Sequence, residues 1–455
     1  MSTSTPTPPP RSRMAKVLAA SVAGTTIEFY DFFLYGTAAA LVFNKVFFPS
    51  SDPLTGILLA LVTYAVGFLA RPLGGILFGH FGDRYGRKPM LAFSLLLMGG
   101  ATVCIGLIPS YASIGALAPV LLTLCRLVQG VALGGEWGGA VLLVAEYGSR
   151  ERRGFWSSWP QAGGPLGNML STAVLALLGL GITNSEFVEW GWRIPFLLSA
   201  VLVILGLWLR RSVEESPLFV AAREAAPERA PLTTVLREHR RPVAIAALAA
   251  LGEKATYYTF SIFLLSYLAE QVKAPKSVGL TAITIASAFQ VVAMLAGGAF
   301  TDRFGRRVPS IVLACVIGVW AFVGLPFVDS GAPVTVTVVV TVGLVLHGLL
   351  CGAQAAFFAE LFPSAVRYTG ASLGYQLATV LGGSLAPIIG IALLGRYGST
   401  TPVACFLLFT LLCTIGAFWW AGETHRRDLA DPGGGVTAVR ERVADRQGSP
   451  SEGVE

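Results

Sequence analysis

Gly79-His-Phe-Gly-Asp83-Arg84-Tyr-Gly86-Arg87-Lys88 returns 219 residues later as Gly298-Ala-Phe-Thr-Asp302-Arg303-Phe-Gly305-Arg306-Arg307. Each copy sits between two long apolar runs. A short Gly- and Arg-rich decapeptide repeated at that distance marks two parallel copies of a larger unit, each holding several apolar segments. The composition agrees. Of 455 residues, 54% are apolar and 13% charged, against roughly 25% charged in a soluble domain. So few charges cannot cover a water-facing surface. A spanning helix needs about 20 mostly apolar residues. Counting outward from the repeats gives twelve such runs, at 17–43, 56–79, 90–108, 114–140, 155–181, 193–209, 243–269, 279–300, 309–328, 333–358, 370–394 and 402–421. The expected fold is an all-α membrane protein of twelve transmembrane helices in two six-helix bundles, 17–210 and 243–422. Segments 1–16 and 423–455 are expected as cytoplasmic tails, the second disordered, and 211–242 as a cytoplasmic linker.

Lys and Arg fix the expected orientation. With the N-terminus inside, 25 of the 33 basic residues fall in cytoplasmic segments and 4 outside, a strong positive-inside bias. Both termini are then cytoplasmic. The net charge of +7 is spread over short loops, which argues against nucleic-acid binding. The six Cys lie within apolar runs and lack metal-ligand spacing, so neither disulfides nor a metal site is expected. No small-residue cleavage site follows the first apolar run, so no removable signal peptide is expected.

The doubled G-x-x-x-D-R-x-G-R-[KR] loop resembles the signature of the major facilitator superfamily. Ile27-Glu-Phe-Tyr-Asp31-Phe-Phe-Leu-Tyr35-Gly36, Arg71-Pro-Leu-Gly-Gly75, Gly134-Gly-Glu136-Trp-Gly-Gly139, Gly191-Trp-Arg193-Ile-Pro-Phe196 and Glu215-Ser-Pro-Leu-Phe219 are similar to segments of its metabolite:proton symporters. Carriers of shikimate, α-ketoglutarate, citrate and proline/betaine belong to that family. The resemblance covers about residues 15–425. It implies import of a small organic acid with protons, by alternating access of two halves and without a cofactor. It also implies that the repeated loops (Gly79, Asp83, Arg84, Gly86, Arg87, Lys88; Asp302, Arg303, Gly305, Arg306, Arg307) latch the cytoplasmic helix ends. The tail lacks the sustained heptads of the betaine branch.

Ionisable residues inside apolar runs are costly and so point to function. Asp31 lies about 15 residues, or about 22 Å, into the first run. Glu28 precedes it on the same face. With Glu136 they are the expected proton-coupling residues, although Glu136, ten residues past Arg126, also suits packing or gating. Arg126 is the expected partner of Asp31 or of a substrate carboxylate, because its planar fork matches a carboxylate. Glu253 and Lys254, adjacent on the seventh run, are expected at the substrate site, at most one facing it squarely because neighbours point about 100° apart; a Lys there departs from what is general in the family and is expected to set substrate preference. Tyr35, Gln161, Tyr257, Tyr375 and Gln376 are expected to add polar lining. Arg71 reads as structural. Gly130, Gly134 and Gly138 form a small-residue stripe suited to close helix approach.

An intramembrane enzyme would need facing nucleophile and base, or metal ligands. Only His347 of the four histidines lies well inside a run, and no H-E-x-x-H, G-x-S-x-G or P-loop pattern occurs. The expected partners are an organic acid, protons and the bilayer, for a monomeric chain. A drug-efflux antiporter and a proline/betaine symporter are the alternatives.

Overall fold

The computed structural model describes residues 11–49, 51–75, 77–78, 87–134, 144, 149–211, 231–363, 366–425 and 427. These residues are almost wholly helical, with no strand among them. The principal helices are α1 (Arg11–Ala38), α2 (Pro53–Leu69), α3 (Arg87–Leu107), α4 (Leu117–Gly134), α5 (Arg153–Gly181) and α6 (Arg193–Arg211), then α7 (Arg240–Tyr258), α8 (Lys276–Phe304), α9 (Arg307–Gly324), α10 (Pro333–Glu360), α11 (Arg367–Ala378) and α12 (Thr401–Ala421). α1, α7 and α11 continue through single π turns, Ala39–Phe43, Thr259–Phe263 and Thr379–Ser384, into Asn44–Phe47, Leu264–Glu270 and Leu385–Tyr397. The first two π turns start 220 residues apart, one more than the offset between the repeated loops. The first helix of each half therefore carries a π turn at an equivalent place.

Among the described residues, eight helices are long and apolar enough to cross a membrane, or nine if the bent pair Asn184–Gly191 and Arg193–Trp208 counts as one span. α1, α3 and α7 fall short of that test, which tempers the expectation of twelve. α7 carries Arg240, Arg241, Glu253 and Lys254, α1 carries Glu28 and Asp31, and the apolar part of α3 is Ala92–Leu107.

Burial differs from that of a water-soluble protein. Leu177, Leu180, Val201, Ile204, Val292, Val319, Phe409 and Trp419 are each more than 60% exposed, whereas Glu28, Asp31, Arg71, Arg126, Glu253, Lys254, Arg306 and Glu360 are buried. An apolar shell around a charged interior suits hydrocarbon outside and a polar path inside.

Glycines set the tightest helix contacts. A Cβ on Gly134 would lie 1.9 Å from the Arg71 carbonyl oxygen of the α2 segment, and one on Gly352 would lie 1.9 Å from the Met294 carbonyl oxygen of α8. The α4 stripe thus has a counterpart in α10, at Gly348 and Gly352. Gly138 of the expected stripe lies outside the described residues. Between the helices before 212 and those after 230, α5 runs along α8 and α10, and α2 touches the continuation of α11. Asn168 Nδ2 donates to Ser287 Oγ at 3.5 Å and Thr172 bonds Thr284 at 2.9 Å.

The expected boundaries shift in places. α1 begins at Arg11, ahead of 17, and a short helix, Pro231–Glu238, occupies part of the expected linker. The chain just past 423 is fixed, because Glu423 accepts the Arg306 and Arg307 amides at the start of α9 and Thr424 is fully buried.

Candidate transport site and gate

Two polar clusters and one latch hold the charged residues. The first cluster lies among α1 to α6. Asp31 is fully buried, and Ser199 Oγ donates to its Oδ1 at 2.5 Å. Its Oδ2 has no hydrogen-bond partner. Thr102 lies beside the same carboxyl and accepts from Gln129 Nε2 at 2.7 Å. Gln129 Oε1 in turn accepts from Arg126 Nη1 at 3.0 Å. Asp31 and Arg126 therefore do not pair directly. Gln129 links Arg126 to Thr102, whose own hydroxyl donates to the Met98 carbonyl at 2.9 Å, and Arg126 rests against the rings of Phe32, Tyr35 and Tyr64 at 4.4, 4.4 and 4.6 Å. The guanidinium prefers this aromatic cage because desolvated cation–π contacts strengthen as water is removed. Tyr35 also bonds Thr63 at 2.6 Å. Arg71 lies 4.3 Å from the same Phe32 ring and is buried, with its Nε and Nη2 unpartnered. Glu28 is buried one turn before Asp31.

The second cluster lines a cavity of about 40 Å³ bounded by Phe29, Phe33, Gln161, Glu253, Lys254, Tyr257, Tyr258, Gln290, His347, Cys351 and Tyr375, among others. That volume holds a few waters. Lys254 Nζ sits 2.9 Å from Glu253 Oε2 and donates to Tyr375 Oη at 2.6 Å. His347 Nε2 lies 2.7 Å from Glu253 Oε1, and His347 Nδ1 lies 2.6 Å from Gln290 Nε2. The donor atoms of Glu253, His347 and Cys351 come within 4.8 Å of one another. However, Lys254 already neutralises the carboxylate, so the set reads as an internal ion-pair network.

Gln161, Glu253, Lys254, Tyr257 and Tyr375 meet at one cavity, with both Glu253 and Lys254 on its wall rather than one of them. Arg126, Asp31 and Tyr35 belong to the other cluster, behind Phe32, Phe33, Tyr64 and Tyr258. Rings meet at an angle across the two halves, with Phe33 to Tyr257 at 5.0 Å and Tyr64 to Tyr258 at 6.3 Å. Gln376 is buried and does not line the cavity. Glu136 lies outside the described residues. Sequence reasoning missed His347 and Gln290 as site residues. The one available signal was that His347 is the lone histidine deep in an apolar run.

The latch lies at the Arg-rich end. Asp302 accepts the Gly154 and Phe155 amides of α5 at 2.7 and 2.9 Å, and Arg306 Nη1 at 2.9 Å. A carboxylate on a helix N-terminus is the favourable sign for that dipole. Glu360 at the end of α10 takes Arg153 and Arg306, each at 3.2 Å, and the Thr424 hydroxyl at 2.8 Å. Asp302 and Glu360 thereby bind α5 across the two halves. Arg303 lies at the end of α8, with its guanidinium 5.4 Å from the Phe304 ring, and Gly305 has a φ of +85° that suits glycine. Arg307 opens α9 against Trp419 at 4.4 Å. Gly79, Asp83, Arg84 and Gly86 lie outside the described residues, and Arg87 and Lys88 open α3.

Known proteins extend these observations. The profile of the Major Facilitator Superfamily matches residues 22–375 and again 256–444. The chain is 42% identical over 423 residues to the inner membrane metabolite transport protein YhjE of Escherichia coli (strain K12), covering 91% of this chain and 95% of that protein. It is 40% identical over 407 residues to the shikimate transporter of Escherichia coli (strain K12), with 87% and 92% covered. To the proline/betaine transporter of Salmonella typhimurium (strain LT2) it is 34% identical over 390 residues, with 82% and 76% covered. A crystal structure of the D-xylose–proton symporter superposes with a TM-score of 0.70 at 17% identity, covering 91% of this chain and 99% of that one. The chain is a transporter and not an enzyme, and it belongs to the major facilitator superfamily, within its family of metabolite:proton symporters.

Proposed function

We propose that the chain imports a small organic acid together with protons across the inner membrane, through twelve spans with both termini cytoplasmic. The observation that carries the reading is a pair of buried guanidiniums, Arg71 and Arg126, on one Phe32 ring with no carboxylate partner among the described residues. Two desolvated cations without counter-ions favour an anion that comes and goes. Asp31 is the coupling acid. Its fully buried carboxyl, with Oδ2 unpartnered, is where the proton is taken up. Glu28 and Glu136 are further proton carriers in this reading. Lys254, Tyr257, Tyr375 and Gln161 complete the binding surface once the aromatic layer of Tyr64 and Tyr258 parts, and Glu253 holds Lys254 in place. The six-helix halves 17–210 and 243–422 rock about this site, with 211–242 as the tether and the Asp302 and Glu360 contacts as the cytoplasmic gate.

The relatives named for shikimate and for proline/betaine support a small carboxylate-bearing substrate. Proteoliposome uptake of labelled shikimate, dicarboxylates, 2-oxo acids, proline and betaine, with and without an inward proton gradient, tests this. Gradient-stimulated accumulation of an organic acid is expected. Accumulation of betaine alone, or uptake indifferent to the gradient for every acid, refutes it.

A further inference from the structure

His347 is buried in the middle of α10, with both ring nitrogens engaged. The groups around it come from its own helix and four others. α7 supplies the Glu253 carboxylate at 2.7 Å, the Lys254 ammonium behind it and the Tyr257 ring at 5.1 Å. α8 supplies the Gln290 amide. Cys351 lies one turn on in α10 and accepts from Gln161 Nε2 of α5 at 3.7 Å. Tyr375 of α11 holds Lys254.

Glu253 carries Lys254 and His347 Nε2, so the open proton position of the cluster is His347 Nδ1. Its neighbour there is an amide. A backbone carbonyl would only accept, and would fix a proton on Nδ1. Gln290 can do either. With Nε2 toward the ring it donates to a bare Nδ1, and its Oε1 is left without a partner. Turned by 180°, Oε1 accepts from a protonated Nδ1. Both protonation states therefore find a partner, through one side-chain rotation inside the cavity wall.

We propose that His347 reversibly binds a proton at Nδ1, as a second proton site on the opposite half from Asp31. Among the described residues, Glu253, Lys254 and His347 are the charged or imidazole groups lining the cavity. The wall then changes from net zero to plus one when the proton arrives. The Tyr257 hydroxyl, buried and unpartnered on the same wall, is a further donor for an anion. Linkage makes the effect mutual: an anion that binds more tightly to the protonated wall also holds the proton more tightly, typically by 5–150-fold. The role in coupling rests on the carrier reading above; the proton site itself does not.

The test is ¹⁵N NMR of histidine-labelled protein in lipid nanodiscs from pH 5 to 9, without substrate. The His347 signal is assigned by its loss in His347→Gln. It should pass between neutral imidazole and imidazolium within that range. In Gln290→Glu, whose side chain only accepts when ionised, it should stay imidazolium to the top of the range. A parent signal fixed in one form throughout overturns the proposal, as does a Gln290→Glu signal that titrates like the parent. Neither result depends on transport, so failure here and failure of the uptake experiment are separable.

Discussion

Asp302→Asn should unlatch the Arg-rich end. Asp302 holds the first two amides of α5 with both carboxylate oxygens. Asparagine keeps one acceptor and turns an NH2 toward the other amide. The Arg306 contact stays within one half, so the loss between halves falls on the α5 amides. One hydrogen bond to a charged group is worth about 1.5–3 kcal/mol, and the charge on the helix N-terminus adds about 0.3–1 kcal/mol. A loss of about 2–3 kcal/mol raises the open population roughly 30–150-fold, at about 1.4 kcal/mol per decade. Cys351 is a built-in reporter, since it is buried and lines the cavity. With the other five cysteines replaced by serine, a membrane-impermeant maleimide added to inside-out vesicles should label Cys351 faster by that factor. Labelling at the parent rate, in a variant with the parent's melting temperature, would refute the latch.

Asp31→Asn should abolish gradient-driven accumulation while exchange of preloaded substrate continues, as counterflow in proteoliposomes will show. Arg126→Lys should fail nearly as badly as Arg126→Ala, with uptake reduced at least about tenfold. An ammonium cannot span three rings and Gln129 together, and wild-type affinity in the lysine variant would rule out that role for the fork. Gly352→Ala should lower the melting temperature in detergent by several degrees or prevent expression, because its Cβ would overlap the Met294 carbonyl. Gly416→Ala, with nothing within 4 Å, should melt like the parent.

Much of this architecture is legible in the chain because lipid makes sequence literal. An apolar run of spanning length has few other uses, and a charge inside it marks a polar interior, as Asp31, Arg126, Glu253 and Lys254 do. Contacts between distant helices are less legible. Arg126 looked like the partner of Asp31, yet an aromatic cage assembled from α1 and α2 competes for it, and aromatic spacing on two helices does not announce a shared cation. His347 sits 94 residues from Glu253 and has no charged neighbour in sequence. Arg153 and Glu360 are 207 apart, and helix ends buried by another half look in sequence like ordinary loop charges. The repeated loop draws the eye to Asp302, but its hold on the α5 amides was invisible, because backbone donors leave no mark in side-chain composition.

The π turns of α1 and α7 have a mechanical consequence. A π turn closes i→i+5 bonds, so the helix is locally wider there than on either side, and helices kink at such places. The two occupy matching places in the two halves, at Ala39–Phe43 and Thr259–Phe263. Each half thus carries, on its first helix, a joint at the same height, and bending at both joints together would change the two halves alike.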